Sequence, residues 1–93
     1  MKAEQLKHRI DVLNGRFLGA YEKCAVAGRE CFRAPNGMIF ALDYIESFGA
    51  LVIEYAEDYE EAELCRFEDG DLFFLEDMDA DTMFEAMLRE IRQ

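Results

Sequence analysis

The sequence predicts an α+β fold in which a helix at each end flanks an antiparallel β-meander of three to four strands. Apolar residues recur at helical spacing near both ends of the 93-residue chain and alternate with polar residues between them. A hydrophobic share of 52% is typical of a chain with a packed core. We therefore expect one domain over residues 1–93, with a helical half at 1–34, a meander at 38–76 and a C-terminal helix at 79–92.

The N-terminal element is predicted to be helical because apolar or small side chains return every three or four residues. These positions are Leu6, Ile10, Leu13, Phe17, Ala20, Cys24, Ala27 and Cys31. Asn14-Gly15, which has apolar neighbours, is instead typical of a hairpin turn. We expect a helix that is broken or kinked near Asn14-Gly15, and the pattern leaves open one helix, two helices or a hairpin within residues 2–33.

The same apolar stripe indicates self-association. An unbroken helix over residues 2–33 would be roughly 48 Å long at 1.5 Å per residue, which is longer than a domain of this size can cover. Such a helix would pair with a second copy to form a homodimer. The residues expected at that interface are Leu6, Ile10, Leu13 and Phe17.

The meander is predicted from a change of period after Pro35. Four runs rich in aromatic and branched residues follow, at 38–46, 50–57, 63–68 and 71–76. Asp69-Gly70 between the last two runs is typical of a tight hairpin turn. The strands are therefore expected to pair antiparallel in chain order.

The C-terminal helix is predicted from an amphipathic pattern with clear end signals. Its apolar side carries Met83, Phe84, Met87, Leu88 and Ile91. Asp79 is suited to cap its N-terminus, and Arg89 and Arg92 favour the negative end of the helix dipole.

The net charge of −11 is unevenly distributed. Residues 1–37 carry a net charge of +3, whereas residues 38–85 hold sixteen carboxylates against Arg66 alone, a net charge of −15. Such a field repels nucleic acids and anionic membranes and attracts basic proteins. We expect neither direct nucleic-acid binding nor membrane binding.

Catalytic and cofactor motifs do not emerge from the sequence. One serine, one threonine and one histidine give no basis for a hydrolytic triad, and the glycines form no phosphate-binding fingerprint. Cys24, Cys31 and Cys65 lack zinc-ligand spacing, and we interpret them as reduced thiols in a cytoplasmic protein. The first residues also lack the apolar core of a secretory signal. No enzyme activity and no cofactor are expected.

The stretch that most resembles a metal site is Asp77-Met78-Asp79-Ala80-Asp81-Thr82. It matches the first carboxylate positions of an EF-hand calcium loop, but Thr82 stands where the loop needs glycine and Leu88 where it needs a bidentate glutamate. Helix capping accounts for these aspartates, so no metal site is predicted.

The remaining signal is a surface where aromatic residues lie among carboxylates, as in protein interfaces with an acidic rim. The residues expected to contact a partner are Glu54, Tyr55, Glu57, Asp58, Tyr59, Glu60, Glu61, Asp69 and Asp71. The predicted function is a small non-enzymatic protein-interaction module that binds a basic partner, as an inhibitor, an immunity-like protein or a nucleic-acid mimic. The alternatives are a structural homo-oligomer subunit without ligand chemistry, and a small carboxylate-based enzyme or calcium binder.

Overall fold

The computed structural model describes residues 2–91, which form an α+β fold with one antiparallel sheet. Within this range the sheet has five strands in the order β1-β2-β3-β4-β5, rather than the three or four expected. The expected helices at the two ends are confirmed. The elements in chain order are α1 (Lys2–Leu18), β1 (Glu22–Val26), β2 (Arg29–Arg33), β3 (Ile39–Ile45), a 3-10 turn (Glu46–Phe48), β4 (Ala50–Ala56), α2 (Tyr59–Glu63), β5 (Glu68–Phe74) and α3 (Ala80–Ile91).

The expectation of a helical half over residues 1–34 is wrong beyond Leu18, and of the possibilities left open for residues 2–33 the structure has one helix followed by a hairpin. The helix α1 ends at Leu18, and β1 and β2 form a hairpin with Val26 paired to Arg29. Its two-residue turn is Ala27-Gly28, with φ of 52° and 80°. Positive φ at both central residues gives a turn whose twist matches the strands. Asn14-Gly15, in contrast, lies inside α1 and does not break it.

The predicted hairpin over residues 63–76 is also wrong. Glu63 ends α2, and a single strand, β5, runs through Asp69-Gly70. Val52 pairs with Leu72 and Glu54 with Asp69, so Ile53 faces two residues of β5. The Asp-Gly pair therefore lies within a strand and not in a turn, and Gly70 and Asp71 form a β-bulge.

The helix α3 starts as its capping signal predicts. The Asp79 carboxylate accepts a hydrogen bond from the Thr82 N–H at 2.8 Å, and this bond lowers the pKa of Asp79. Met83, Met87 and Ile91 are buried against the sheet. Arg92, expected to follow in the last turn, lies outside the described residues.

The helices α1 and α3 cover one face of the sheet, which we call the inner face. Leu6, Leu13 and Phe17 of α1 are fully buried there with residues of β2, β3, β4 and α3. The Phe17 ring lies 5.3 Å from that of Phe40 and 5.1 Å from that of Phe84. The core is thus an aromatic cluster closed by two helices.

The position of the α1 stripe bears on the expected dimer. Leu6, Leu13 and Phe17 have no exposed side-chain surface, and Ile10 is half-buried against the same core. The chain therefore uses this stripe for its own folding. A dimer through these four residues would require α1 to leave the sheet.

The opposite, outer face of the sheet carries a smaller core. The buried residues there are Val26, Cys31, Ile39, Ala41, Ala56 and Ala62, with Cys24 and Phe67 packed against them. Ala62 belongs to α2, whose N-terminus is capped by the Asp58 carboxylate accepting the Glu61 N–H at 2.9 Å. The short helix α2 thus covers part of the outer face. None of the described helices is both long and apolar enough to cross a bilayer.

Candidate functional site

A groove lined mainly by carboxylates lies where the end of β4 meets the start of β5. It consists of two adjoining depressions of about 630 and 370 Å³ that share Met38 and Tyr55. We call it the acidic groove. Its carboxylates are Glu57, Glu61, Glu68, Asp69, Asp71 and Glu90.

The antiparallel pairing of β4 and β5 brings Tyr55 and Glu68 together in this groove. Tyr55, near the end of β4, is the register partner of Glu68, the first residue of β5. Partners in an antiparallel pair project from the same face, so the phenol and the Glu68 carboxylate lie side by side. The Glu68 carboxylate, acting as hydrogen-bond acceptor and as a charge, raises the pKa of Tyr55. Tyr55 is therefore a neutral phenol set among anions.

Glu90 reaches the groove from α3, and the bulge in β5 makes room for it. A Cβ atom at position 70 would overlap the Glu90 carboxylate and lie 3.1 Å from the Ile53 carbonyl oxygen, so glycine is required for this approach. Glu90 Oε1 accepts the Asp71 N–H at 2.8 Å. The bond ties the last turn of α3 to β5.

The second oxygen of the Glu90 carboxylate is buried and has no hydrogen-bond partner among the described residues. Burial is the main cause that raises the pKa of Glu90, while the Asp71 N–H opposes this effect. A partly desolvated carboxylate of this kind is stabilised when a cationic donor reaches it.

The positive side chain that lines the groove is Arg66, which lies 3.5 Å from the Glu61 carboxylate. Six acidic residues and one arginine therefore line the groove. Within residues 2–91, no cluster of three or more histidine, cysteine or acidic side chains is arranged to hold a metal ion. The groove is suited to bind ammonium or guanidinium groups, whose N–H donors match carboxylate acceptors.

Five of the nine residues predicted to contact a partner line this groove: Tyr55, Glu57, Glu61, Asp69 and Asp71. The other four lie elsewhere. Glu54 forms an ion pair with Arg29 at 2.7 Å, and Asp58 caps α2. Tyr59 and Glu60 are exposed on α2, with the Arg33 guanidinium 5.8 Å from the centre of the Tyr59 ring.

Three residues that line the groove, Glu68, Glu90 and Arg66, are not among the residues predicted to contact a partner. Glu68 is the last residue of a predicted strand over 63–68, whereas in the structure it is the first residue of β5. Its position next to Asp69 already puts it in the acidic stretch. Glu90 gave no signal, because its role depends on a bulge 19 residues earlier. Arg66 was recognised only as the single base of the acidic region.

The other candidate groups lie apart from the groove. Cys31 is buried, which raises the pKa of its thiol, whereas Cys65 is exposed; Cys24, Cys31 and Cys65 are all free thiols. Two aspartates of the calcium-like stretch already have partners, since Asp79 caps α3 and Asp81 forms an ion pair with Arg16.

Comparison of the chain with protein-family models, with curated proteins and with solved structures gave no match. The chemistry of the acidic groove is therefore the ground for a functional assignment.

Proposed function

We propose that this protein is a small, non-enzymatic binding module whose acidic groove receives basic side chains of a partner protein. The observation that carries the proposal is the lining of the groove, which contains six acidic residues, a tyrosine shared by both depressions and a single arginine. Lysine or arginine side chains fit such a lining because charge-assisted hydrogen bonds to carboxylates are among the strongest in proteins.

The long-range field supports the same kind of partner. Residues 38–85 carry a net charge of −15, and they include five of the six groove carboxylates. A field of this sign accelerates encounter with basic proteins and disfavours nucleic acids and anionic membranes. Tyr55 adds a ring face on which a guanidinium can stack.

The sharpest form of the proposal is an inhibitor or immunity-like protein that mimics nucleic acid. Carboxylates at the ends of neighbouring strands would then occupy phosphate-binding positions on a basic, nucleic-acid-binding partner. This function needs no catalytic residue and no cofactor. We place the protein in the cytoplasm, where its free thiols stay reduced.

A homo-oligomer held by the basic N-terminal part and the acidic part of neighbouring copies is less well supported. Within one chain, Arg16 pairs with Asp81 and Arg29 with Glu54. Arg9 also donates a hydrogen bond to the Met78 carbonyl at 3.1 Å. These cations already contact the acidic part of their own chain.

The test is a comparison of two triple variants that remove the same charge. In the groove variant, Glu57, Glu68 and Asp69 become Gln, Gln and Asn; all three are exposed, so the fold should be kept. In the control, the exposed Glu4, Asp11 and Glu22 become Gln, Asn and Gln. The probe is a fluorescent arginine-rich peptide, and its affinity is measured by anisotropy at low and moderate salt.

We expect the groove variant to bind the peptide about tenfold more weakly than the unmodified protein, and the control less than about threefold more weakly. Equal losses in the two variants would show that only net charge matters, which would refute the groove as the binding site.

A further inference from the structure

Beyond the part that α2 covers, the outer face of the sheet carries a second group of apolar residues, some of them exposed. Antiparallel register places Ile45, Ala50 and Phe74 in one row across β3, β4 and β5, and Val52 and Leu72 in the next row. Phe48, from the 3-10 turn, lies beside Phe74, since both line a depression of about 230 Å³. We define the outer patch as Ile45, Phe48, Ala50, Val52, Leu72 and Phe74.

Three large side chains of the outer patch are exposed, one from the 3-10 turn and two from β5. The exposed fractions are 58% for Phe48, 38% for Leu72 and 39% for Phe74. Ala50 and Val52 lie between them and are buried. A contiguous exposed apolar surface with a polar rim marks an interaction site more often than scattered apolar residues do.

The rim of the outer patch is acidic. Glu76 and Asp77 line the depression with Phe48 and Phe74, and the exposed Glu46 starts the 3-10 turn. Asp43 lies in the row of Val52 and Leu72. These rows contain no lysine, arginine or histidine.

This charge pattern decides between two occupants. A second copy docked patch to patch around a two-fold axis would bring Asp43, Glu46, Glu76 and Asp77 against the same carboxylates, because such an interface is self-complementary. Like charges facing each other disfavour that contact. A partner with an apolar centre and basic flanks would satisfy both the patch and its rim.

The part of the outer face that α2 covers indicates which kind of secondary structure can pack on the outer patch. There, α2 lies over the sheet and buries Ala62 against Ile39 and Ala56. A helix is about 10 Å across, close to the width of two neighbouring strands at about 4.8 Å spacing. The rows of the outer patch span β4, β5 and the end of β3, so they offer a helix a surface of about its own width.

We propose that the outer patch docks an amphipathic helix of another protein, with its apolar face on Phe48, Leu72 and Phe74 and its lysine or arginine flanks against the acidic rim. This surface is distinct from the acidic groove, because none of the described residues that line the groove belongs to the outer patch. The two sites can therefore be tested independently.

The experiment uses a synthetic peptide of about 14 leucine and lysine residues arranged so that leucine fills one helical face. A second peptide has the same composition in scrambled order, so the two differ in amphipathicity and not in charge. Anisotropy gives both affinities for the unmodified protein, for Phe48→Ser with Leu72→Ser, and for a control with the exposed Leu18 and Leu64 changed to serine.

We expect the amphipathic peptide to bind the unmodified protein and the control about tenfold more tightly than the scrambled one, and the patch variant to bind both equally. Near-ultraviolet circular dichroism verifies that each variant is folded, and Phe48→Ser alone serves if the double variant is not. The groove variant should weaken both peptides but keep the ratio between them, which separates the two sites.

Equal binding of the two peptides to the unmodified protein would overturn the proposal, and so would an equal loss in the control variant. A dimer of the free protein that dissociates in the patch variant, seen by sedimentation equilibrium, would assign the patch to a second copy instead.

Discussion

The two faces of the sheet differ in the size of the side chains they bury and in how completely they are covered. The inner face buries Phe32, Phe40 and Leu51 beneath two helices, of 17 and 12 residues. The covered part of the outer face buries small residues such as Cys31 and Ala41 beneath a helix of 5 residues. Small side chains allow α2 to approach the sheet closely, but they contribute little apolar area.

The difference shows where the stability of the fold resides. Large side chains that are fully buried lose the most apolar surface to the interior, so the inner face contributes most of the hydrophobic free energy. The outer patch leaves Phe48, Leu72 and Phe74 partly exposed, so they contribute less to folding than the large side chains of the inner face. Binding explains their exposure better than stability does.

The largest effect is expected for Phe17→Ala. Phe17 is fully buried and its ring contacts Phe32, Phe40 and Phe84. Its truncation should reduce the free energy of unfolding by about 3–5 kcal/mol, because the transfer free energy is lost and a cavity remains. Urea denaturation followed by circular dichroism measures the change.

The matched variant is Phe74→Ala on the outer patch, which should cost about 1 kcal/mol or less because the ring is already partly in water. Similar losses in the two variants would show that the outer patch belongs to the structural core, and its assignment as a docking surface would then fail.

The contrast between the faces also explains which elements the sequence predicted. Leu6, Leu13 and Phe17 lie on one side of α1 at helical spacing, and Met83, Met87 and Ile91 do so on α3, because each helix packs one face against a sheet. The helices that build the inner face were therefore predictable. Strands β3 and β4 were predictable because each is a run rich in branched and aromatic residues, which favour strands.

The β1–β2 hairpin was not predictable in the same way. Cys24 and Cys31 are register partners on the outer face, yet their spacing of seven residues also fits two turns of a helix. The turn between them uses Ala27, which rarely adopts positive φ, so the usual Asn-Gly or Asp-Gly signal was missing. The spacing of the small outer-face residues thus fits both a strand and a helix and does not distinguish between them.

The sequence predicts that the residues of the acidic groove are rich in carboxylates, but not that they form a groove. The carboxylates at 57–61 and 69–71 stand out in the sequence, but their convergence with Glu90 depends on the bulge at Gly70 and on the position of α3. Contacts of that kind join segments 19 residues apart and leave no local periodicity.

A smaller effect is expected for Gly70→Ala. The added Cβ would overlap the Glu90 carboxylate, so that side chain must move and its bond to the Asp71 N–H would be lost. The loss should be about 1 kcal/mol, the usual net contribution of one hydrogen bond. Urea denaturation is again the measurement.

The matched background for this prediction is Glu90→Ala, in which the overlapping carboxylate is absent. In that background, Gly70→Ala should reduce the free energy of unfolding by less than it does in the unmodified protein. The difference between the two reductions is the coupling energy of positions 70 and 90. Equal losses of unfolding free energy in both backgrounds would show that the added Cβ clashes with the Ile53 carbonyl and not with Glu90.

The smallest effect concerns the charge of Glu90 and depends on pH. Burial raises the pKa of Glu90 in the folded protein above its ordinary value of 4.5, with Asp71 acting in the same direction through its charge. The folded state therefore binds the proton of the Glu90 carboxyl group more tightly than the unfolded state does. Its stabilising effect is fully present below pH 4.5 and is lost as pH rises through the raised pKa.

Glu90→Gln keeps an oxygen that can accept the Asp71 N–H but does not ionise. We therefore expect the free energy of unfolding of Glu90→Gln, relative to the unmodified protein, to increase with pH above about 4.5 and then to level off. Urea denaturation of both proteins across this range gives the difference directly, and the many other carboxylates cancel because both proteins share them. A relative stability that falls with rising pH would mean that the folded protein favours the Glu90 anion even without a partner. The desolvated carboxylate would then already be satisfied by the chain itself, and it would have no need of a cationic side chain from a partner.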